Sequence, residues 1–328
     1  MSGRTLSVRA ETWPLAASFT ISRGSRTEAR VVVAEITESG VTGRGECVPY
    51  AHYGESVEGV MAAIEALAGP IADGLDRRAL KRELAPGAAR NALDCALWDV
   101  EAKHAGEPVW RLAGLARPGP LTTAYTLSLD SPEAMGEAAA ANAARPLLKL
   151  KLDGERVIER VAAVRAAAPG ARIIVDANEA WTIDLLRRTS RELARLGVEM
   201  IEQPLPAHSD GGLEGIERPV PLCADESCHD TATLAGLESR YDIINIKLDK
   251  TGGLTEALAL ADAARAAGLG IMVGCMIGTS LAMAPATLVA AGAAFVDLDG
   301  PLLLARDHDP GIAFAGSVME PPPAALWG

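Results

Sequence analysis

From residue 121 onward, short apolar runs alternate with longer stretches in which apolar residues recur every three or four positions. The runs lie near 121–129, 147–152, 172–178, 199–204, 221–227, 243–249, 270–276 and 295–299. Their length and their content of Leu, Ile and Val predict buried strands. The stretches between most of them, such as SPEAMGEAAAANAA and GERVIERVAAVRAAAPG, predict alanine-rich amphipathic helices. Eight strands with about seven helices between them predict an α/β fold, a modified TIM barrel of (β/α)7β form over residues 118–300.

The pattern upstream is different. VRAETWPL, SFTISRG, EARVVVAEITESG and GVTGRGECV are β-rich segments separated by turn residues, with a hairpin turn at Glu38-Ser39-Gly40. Residues 56–69 and 87–105 then show helical periodicity, and Gly106 is placed to cap the second helix. Strands followed by helices predict an α+β capping domain over residues 1–117, with Pro118-Gly119-Pro120 at its boundary. The tail, 301–328, contains Pro310, Gly311 and the run Pro321-Pro322-Pro323. It is expected to leave the barrel and complete the capping domain.

Charged residues break the apolar runs at a near-constant interval. Lys151, Asp176, Glu202, Asp225 and Lys247 follow one another at steps of 25, 26, 23 and 22 residues. Such a step fits one strand, one helix and two short loops. All five are therefore expected at the same end of successive parallel strands, which in a barrel is the active-site mouth. A lone Asp after a strand is more often a helix cap or an ion-pair partner. Three carboxylates at strand period instead point to hard oxygen ligands for Mg2+.

Lys149 and Lys151 are two residues apart and share one face of their strand. On an exposed edge strand they would be solvated, with Leu148, Leu150 and Leu152 buried. One period before Asp176, they are expected to point into the barrel. There, mutual repulsion and burial are expected to lower a lysine pKa toward that of a base. Lys247, with Asn245 and Asp249 on the same predicted strand face, lies four strands from Lys151, so the two lysines would face each other across the mouth. Asp297 and Asp299 share a face of the last strand with no basic residue beside them in sequence. Either Arg306 or a barrel lysine neutralises them, or they grip a substrate ammonium group.

Bulk properties narrow the function classes. A net charge of −12 argues against nucleic-acid binding, which needs a basic surface. Cys47, Cys95, Cys223, Cys228 and Cys275 are dispersed and form no CxxC pair, so neither a zinc site nor a disulfide framework is expected. A reducing cytoplasm fits best, and no leader peptide is evident. The apolar stretch at 281–296 is interrupted by Pro285 and Gly292, and is expected to be a buried helix, not a membrane span.

The motifs KLKLD, VDAN, EQP, ADES and IKLDKTGG, together with the earlier ALDCALWD, resemble the muconate-lactonizing subgroup of the enolase superfamily. The resemblance spans almost the whole chain, with the motifs in order. It implies a capping domain over a (β/α)7β barrel and an Mg2+-stabilised enediolate, formed with a lysine or histidine base as in that superfamily. It implies Asp176, Glu202 and Asp225 as metal ligands and Lys151 and Lys247 as the acid/base pair, with Lys149 tuning Lys151 at the substrate site. Asn178, Glu226 and Asp249 would support these groups from behind.

FVDLDGP resembles the DxD signature of dipeptide epimerases, which implies that Asp297 and Asp299 hold the α-ammonium of a dipeptide. The expected activity is thus L-Ala-D/L-Glu epimerisation, a step in recycling murein peptides. o-Succinylbenzoate synthase, N-succinylamino acid racemase and muconate cycloisomerase are the alternatives within the subgroup. Side-chain specificity is expected from residues 17–26 and 49–56, with Arg23 on a glutamate side chain and Arg26 and His52 as alternatives. Cys275 and Met276 are expected at the pocket wall or in the core. Gly278-Thr279-Ser280 could instead form a phosphate loop, next to two repelling aspartates. The expected partner is a small dipeptide, and an even-numbered homo-oligomer is the expected assembly.

Overall fold

The computed structural model describes residues 3–328. Its first unit is an antiparallel sheet of β1 (Thr5–Ile21), β2 (Gly24–Glu38) and β3 (Val41–Cys47). Two of the predicted strands, VRAETWPL and SFTISRG, are one long strand. Its pairing with β2 shifts register between Pro14 and Phe19, so a bulge absorbs the break that the sequence suggested. Ser39 and Gly40 form the two-residue turn before β3, both at positive φ, as expected for a tight hairpin.

Helices Val57–Glu65, Ala68–Ala72, Arg77–Glu83 and Ala88–Ala105 cover one face of this sheet. The predicted helix at 56–69 is therefore two pieces. Gly43 and Gly45 let the long helix touch β3: a Cβ at either would lie 2.3 Å from Val100 N or 2.1 Å from Ala92 O.

The second unit is an eight-stranded parallel sheet. Its strands are β5 (Tyr125–Leu127), β6 (Leu147–Lys151), β7 (Arg172–Asp176), β8 (Val198–Glu202), β9 (Leu222–Ala224), β10 (Ile243–Ile246), β11 (Gly270–Gly274) and β12 (Phe295–Asp297), in sequential order. The ends approach one another, with Ala124 N–H donating to Val296 C=O at 2.7 Å. The barrel is thus nearly closed.

All eight predicted strands are present, but the first is split. Its start forms β4 (Leu121–Thr122), which pairs with the tail hairpin of β13 (Phe314–Ala315) and β14 (Val318–Met319). Two of the expected crossover helices are replaced by short 3-10 turns, at Ala207–Leu213 and at Thr231–Thr233 with Leu237–Ser239. Those stretches are rich in Gly, Ser, Asp and Thr, which favour turns over helices. Helix Ser280–Ala290 runs through Pro285 without breaking, so only Gly292 ends the apolar stretch.

One residue from each strand region forms a plug inside the barrel: Ala124, Leu147, Ile174, Met200, Cys223, Ile243, Met272 and Phe295. Side chains alternate along a strand, so the next inward positions lie two residues further on. They are Thr126, Lys149, Asp176, Glu202, Asp225, Asn245, Gly274 and Asp297. The strand period therefore converts an apolar floor into a polar mouth in one step.

The tail returns across the first unit. Leu304 bridges to Leu15, and Trp327 Nε1–H donates to Cys95 C=O at 3.1 Å. Among the described residues no helix is long and apolar enough to cross a membrane.

Candidate active site

A cleft of about 650 Å³ lies over the polar end of the barrel. Barrel residues Lys149, Lys151, Asp225, Lys247, Asp297 and Asp299 line it. The first unit adds Phe19, Ile21, Arg23 and Arg26 from the β1–β2 hairpin, and Tyr50 and Tyr53 from the turn after β3. Of the expected residues, Asp176 and Glu202 lie beneath this surface and are fully buried.

Each carboxylate of the expected trio holds a lysine. Lys151 Nζ donates to Asp176 Oδ2 at 2.5 Å, and Lys247 Nζ to Asp225 Oδ2 at 2.6 Å. Lys149 Nζ lies 2.7 Å from Glu202 Oε2, 2.7 Å from Asp297 Oδ2 and 3.3 Å from Asp176. Lys250, not among the expected residues, donates to Asp225 Oδ1 at 2.7 Å and to Asn245 C=O at 2.9 Å. Its signal was available in IKLDK, where a lysine three residues after Lys247 falls one helical turn away.

These contacts reverse one expectation. Burial works to lower the pKa of Lys149, but Asp297, Glu202 and Asp176 outweigh it and hold the group well above the ordinary lysine value. Lys247 behaves likewise: burial lowers it, and Asp225 and Glu202 raise it further. Lysine–lysine repulsion is thus the smaller effect, because carboxylates outnumber it at close range. The acids divide. Burial raises Asp176, but Lys151 and Lys149 bring it down to about 2. Glu202 is pushed up to about 7 by burial and by Asp176, despite its contact with Lys149.

The donor set fits a hard divalent cation. Asp176, Glu202 and Asp225 end adjacent strands and offer only carboxylate oxygens. Asn178 Oδ1, Glu226 Oε2, Asn245 Oδ1 and Asp297 Oδ1 accept no hydrogen bond, and Glu202 Oε2 has only its ion pair with Lys149. Buried polar atoms are rarely left so, and five of the seven such atoms among the described residues ring this one mouth.

Supporting groups fix the acids. Asn178 takes a positive φ just past β7, and its N–H and Nδ2–H donate to the two oxygens of Asp176 at 2.9 and 3.2 Å. Asn245 Nδ2–H donates to Glu202 Oε1 at 2.7 Å. Gln203 Oε1, also unanticipated, accepts from Asp225 N–H at 2.8 Å. Glu226 is raised to about 7, by burial first and Asp225 second.

Asp249 departs from its expected place. β10 ends at Ile246, and Asp249 lies in the short helix Leu248–Thr251. Its carboxylate accepts from Val48 N–H at 3.0 Å and Asn91 Nδ2–H at 2.8 Å, so it ties the barrel to the first unit and does not share a strand face with Lys247.

The two aspartates do not share a strand face as expected, because β12 ends at Asp297 and Asp299 caps the short helix Gly300–Leu303, and Asp297 is not free of a cation. Lys149 takes Asp297, while Arg306 stacks on Trp13 instead. Asp299 Oδ2 accepts from Thr126 N–H at 2.7 Å, and burial and Asp297 push its pKa up to about 7.

Arg23 is also engaged. It donates to Asn178 C=O at 3.0 Å, to Tyr50 Oη at 3.0 Å and to Glu226 Oε1 at 2.9 Å. His52 Nε2 meets Glu179 at 2.8 Å. Arg26 lies over the Tyr50 ring at 6.0 Å, and among the described residues no ion pair occupies it. The phosphate-loop expectation fails: Glu46 accepts from Thr279 N–H at 2.8 Å and Asp307 from Ser280 N–H at 3.0 Å, so carboxylates fill that helix start.

A barrel mouth with three carboxylates set between two lysines, under a separate sheet-and-helix unit, defines an enolase-like protein. The chain belongs to the mandelate racemase/muconate lactonizing enzyme family. Residues 3–114 match that family's N-terminal domain, and residues 134–313 match the enolase C-terminal domain-like model. It is similar to the L-Ala-D/L-Glu epimerase of Escherichia coli (strain K12), 49% identical over 95% of this chain and 98% of that protein. It is also similar to the N-acetyl-D-glutamate racemase of a Pseudoalteromonas species, 46% identical over 91% of this chain and 95% of that one. Among solved structures, an enolase family member from Agrobacterium tumefaciens with homology to dipeptide epimerases, holding sodium and L-Ala-L-Glu, is 56% identical. It has a TM-score of 0.97 and covers 99% of this chain and 100% of that one.

Proposed function

We propose that this protein is an isomerase that epimerises the second residue of dipeptides, with L-Ala-D/L-Glu as substrate. The observation that carries the reading is that Lys151 and Lys247, from strands four apart, enter one cleft that also contains Asp297 and Asp299.

Mg2+ held by Asp176, Glu202 and Asp225 would supply Lewis acidity toward the substrate carboxylate and draw off the charge that otherwise keeps Lys247 protonated. Lys151 Nζ and Lys247 Nζ are then the two proton carriers. One removes the α-proton of the second residue, and the other delivers a proton to the opposite face, which inverts the centre. The carrier that starts neutral ends charged, so the pair exchanges roles between the two directions. Asn178, Asn245 and Gln203 hold the carboxylates still. Asp299, with Asp297 behind it, receives the substrate ammonium. Arg26, which has no ion-pair partner among the described residues, is better placed than Arg23 for a glutamate side-chain carboxylate.

Asp297 already holds Lys149, and Asp299 is raised to about 7. A protonated Asp299 could donate to an acyl oxygen, which favours N-acylglutamate racemisation as the second reading. The test is proton NMR in D2O with Mg2+. Exchange of the Glu α-proton of L-Ala-L-Glu with growth of L-Ala-D-Glu supports the first reading. Exchange of N-acetylglutamate alone supports the second. Five free cysteines, four of them buried, favour a reducing cytoplasmic setting, and an even-numbered homo-oligomer is the assembly we expect.

A further inference from the structure

Phe19, Thr126 and Leu303 line the candidate site and also a second cleft beside it. This neighbour, about 730 Å³, runs between β1 and β5, and its lining includes Leu15, Leu127, Met135 and Ala138. Local chain geometry puts the three shared residues at one place. Phe19 resumes pairing after the β1 bulge and sits opposite Arg26. Leu303 ends the short helix Gly300–Leu303, four residues after Asp299, and so lies on the same side of that turn. Thr126 is tied to Asp299 through its backbone N–H.

We infer that Phe19 and Leu303 are a specificity-determining partition: they end the pocket for the first residue of the substrate and restrict that residue to a small side chain. The inference rests on the proposed function. If Asp299 receives the α-ammonium, the side chain of the first residue leaves the carbon that bears it. That side chain then runs along the part of the cleft wall to which Thr126, Leu303 and Phe19 belong. Behind them lies the second cleft, whose apolar side of Leu15, Leu127, Met135 and Ala138 suits a longer aliphatic side chain, and Phe19 and Leu303 are the two large side chains shared by both clefts.

The experiment compares kcat/KM for L-Ala-L-Glu and L-Leu-L-Glu, by α-proton exchange with Mg2+, in the wild-type protein and in Phe19→Ala and Leu303→Ala. The ratio within each protein is the readout, so a general loss of rate does not enter. The wild type is expected to favour L-Ala-L-Glu by tenfold or more, and each variant to cut that preference at least fivefold. Adding Ala138→Phe to Phe19→Ala refills the groove and is expected to restore the preference. A wild type that handles both dipeptides equally, or a ratio unmoved in both variants, overturns the partition while leaving the proposed function standing. A wild type that exchanges no dipeptide overturns the proposed function, and this inference with it.

Discussion

Lys149 Nζ lies 2.7 Å from Asp297 Oδ2, so a single ammonium joins the second barrel strand to the last across the site where the barrel closes. The same nitrogen reaches Glu202 and Asp176. Removing it leaves the buried Glu202 and Asp297 without their counter-charge, while Asp176 keeps Lys151; such a change typically costs about 3–5 kcal/mol. Lys149→Met is therefore expected to lower stability by about 3 kcal/mol in EDTA, measured by urea unfolding. Saturating Mg2+ should recover part of the loss, because a cation on Glu202 and Asp176 replaces the missing charge. An unfolding midpoint that ignores Mg2+ in the variant and in the wild type alike would remove the carboxylates from the metal site.

The lysines facing each other make a sharper prediction. If each serves one face of the α-carbon, replacing one should stop conversion while sparing exchange from the other side. Lys151→Ala and Lys247→Ala are each expected to lose epimerisation by about 10²–10⁴-fold. Each should still exchange the α-proton of one epimer with deuterium, and the two variants should spare opposite epimers. Exchange of both epimers by Lys247→Ala would show that one lysine does all the work.

Asp249 gives a pH prediction away from the three strand-end carboxylates. Burial pushes its carboxyl up to about 7 from an ordinary value near 3.8. A folded-state pKa above the unfolded one means that the folded protein binds more protons between those values. Its contribution to stability is then fully present below about pH 4 and lost as pH rises through 7. Asp249→Asn keeps an acceptor for Val48 N–H and Asn91 and removes the charge. Its stability should match the wild type at low pH and exceed it at pH 8 by on the order of 2–4 kcal/mol. Urea unfolding at both pH values checks this, and equal slopes against pH for the two proteins would refute it.

Much of this site could be read from the sequence, because a parallel barrel repeats. The interval between Lys151, Asp176, Glu202, Asp225 and Lys247 encodes one strand and one return, and period two within a strand places Lys149 above Leu147. Two kinds of information were missing from that spacing. Ion pairing between distant strands decides which charges are already satisfied, so the hold of Lys149 on Asp297 and the upward shift of the lysine pKa values had no local signal. Backbone irregularity was the other. β10 stops at Ile246, so Asp249 leaves the strand face, and the bulge after Pro14 fuses two predicted strands into one. Lys250 and Gln203 had no signal in that spacing because each contacts Asp225 and does not line the cleft.

The final prediction separates two arginines three residues apart on the same hairpin. Arg23 binds Asn178 C=O, Tyr50 and Glu226, so it fastens the hairpin to the barrel. Arg26 reaches the same cleft and has no ion-pair partner among the described residues. An arginine paired in a fixed fork cannot also clamp a substrate carboxylate without giving up those bonds. Arg26→Ala should therefore lower kcat/KM for L-Ala-L-Glu by about 10–100-fold, the loss of a charge-assisted contact of about 1.5–3 kcal/mol, and leave L-Ala-L-Leu nearly unchanged. Arg23→Ala should loosen the cover over the mouth and reduce turnover of both dipeptides by a similar factor. Initial rates by NMR for the two substrates in the two variants decide the matter. If Arg23→Ala alone discriminates against the glutamate substrate, the specificity role belongs to Arg23 and Arg26 is a solvated surface group.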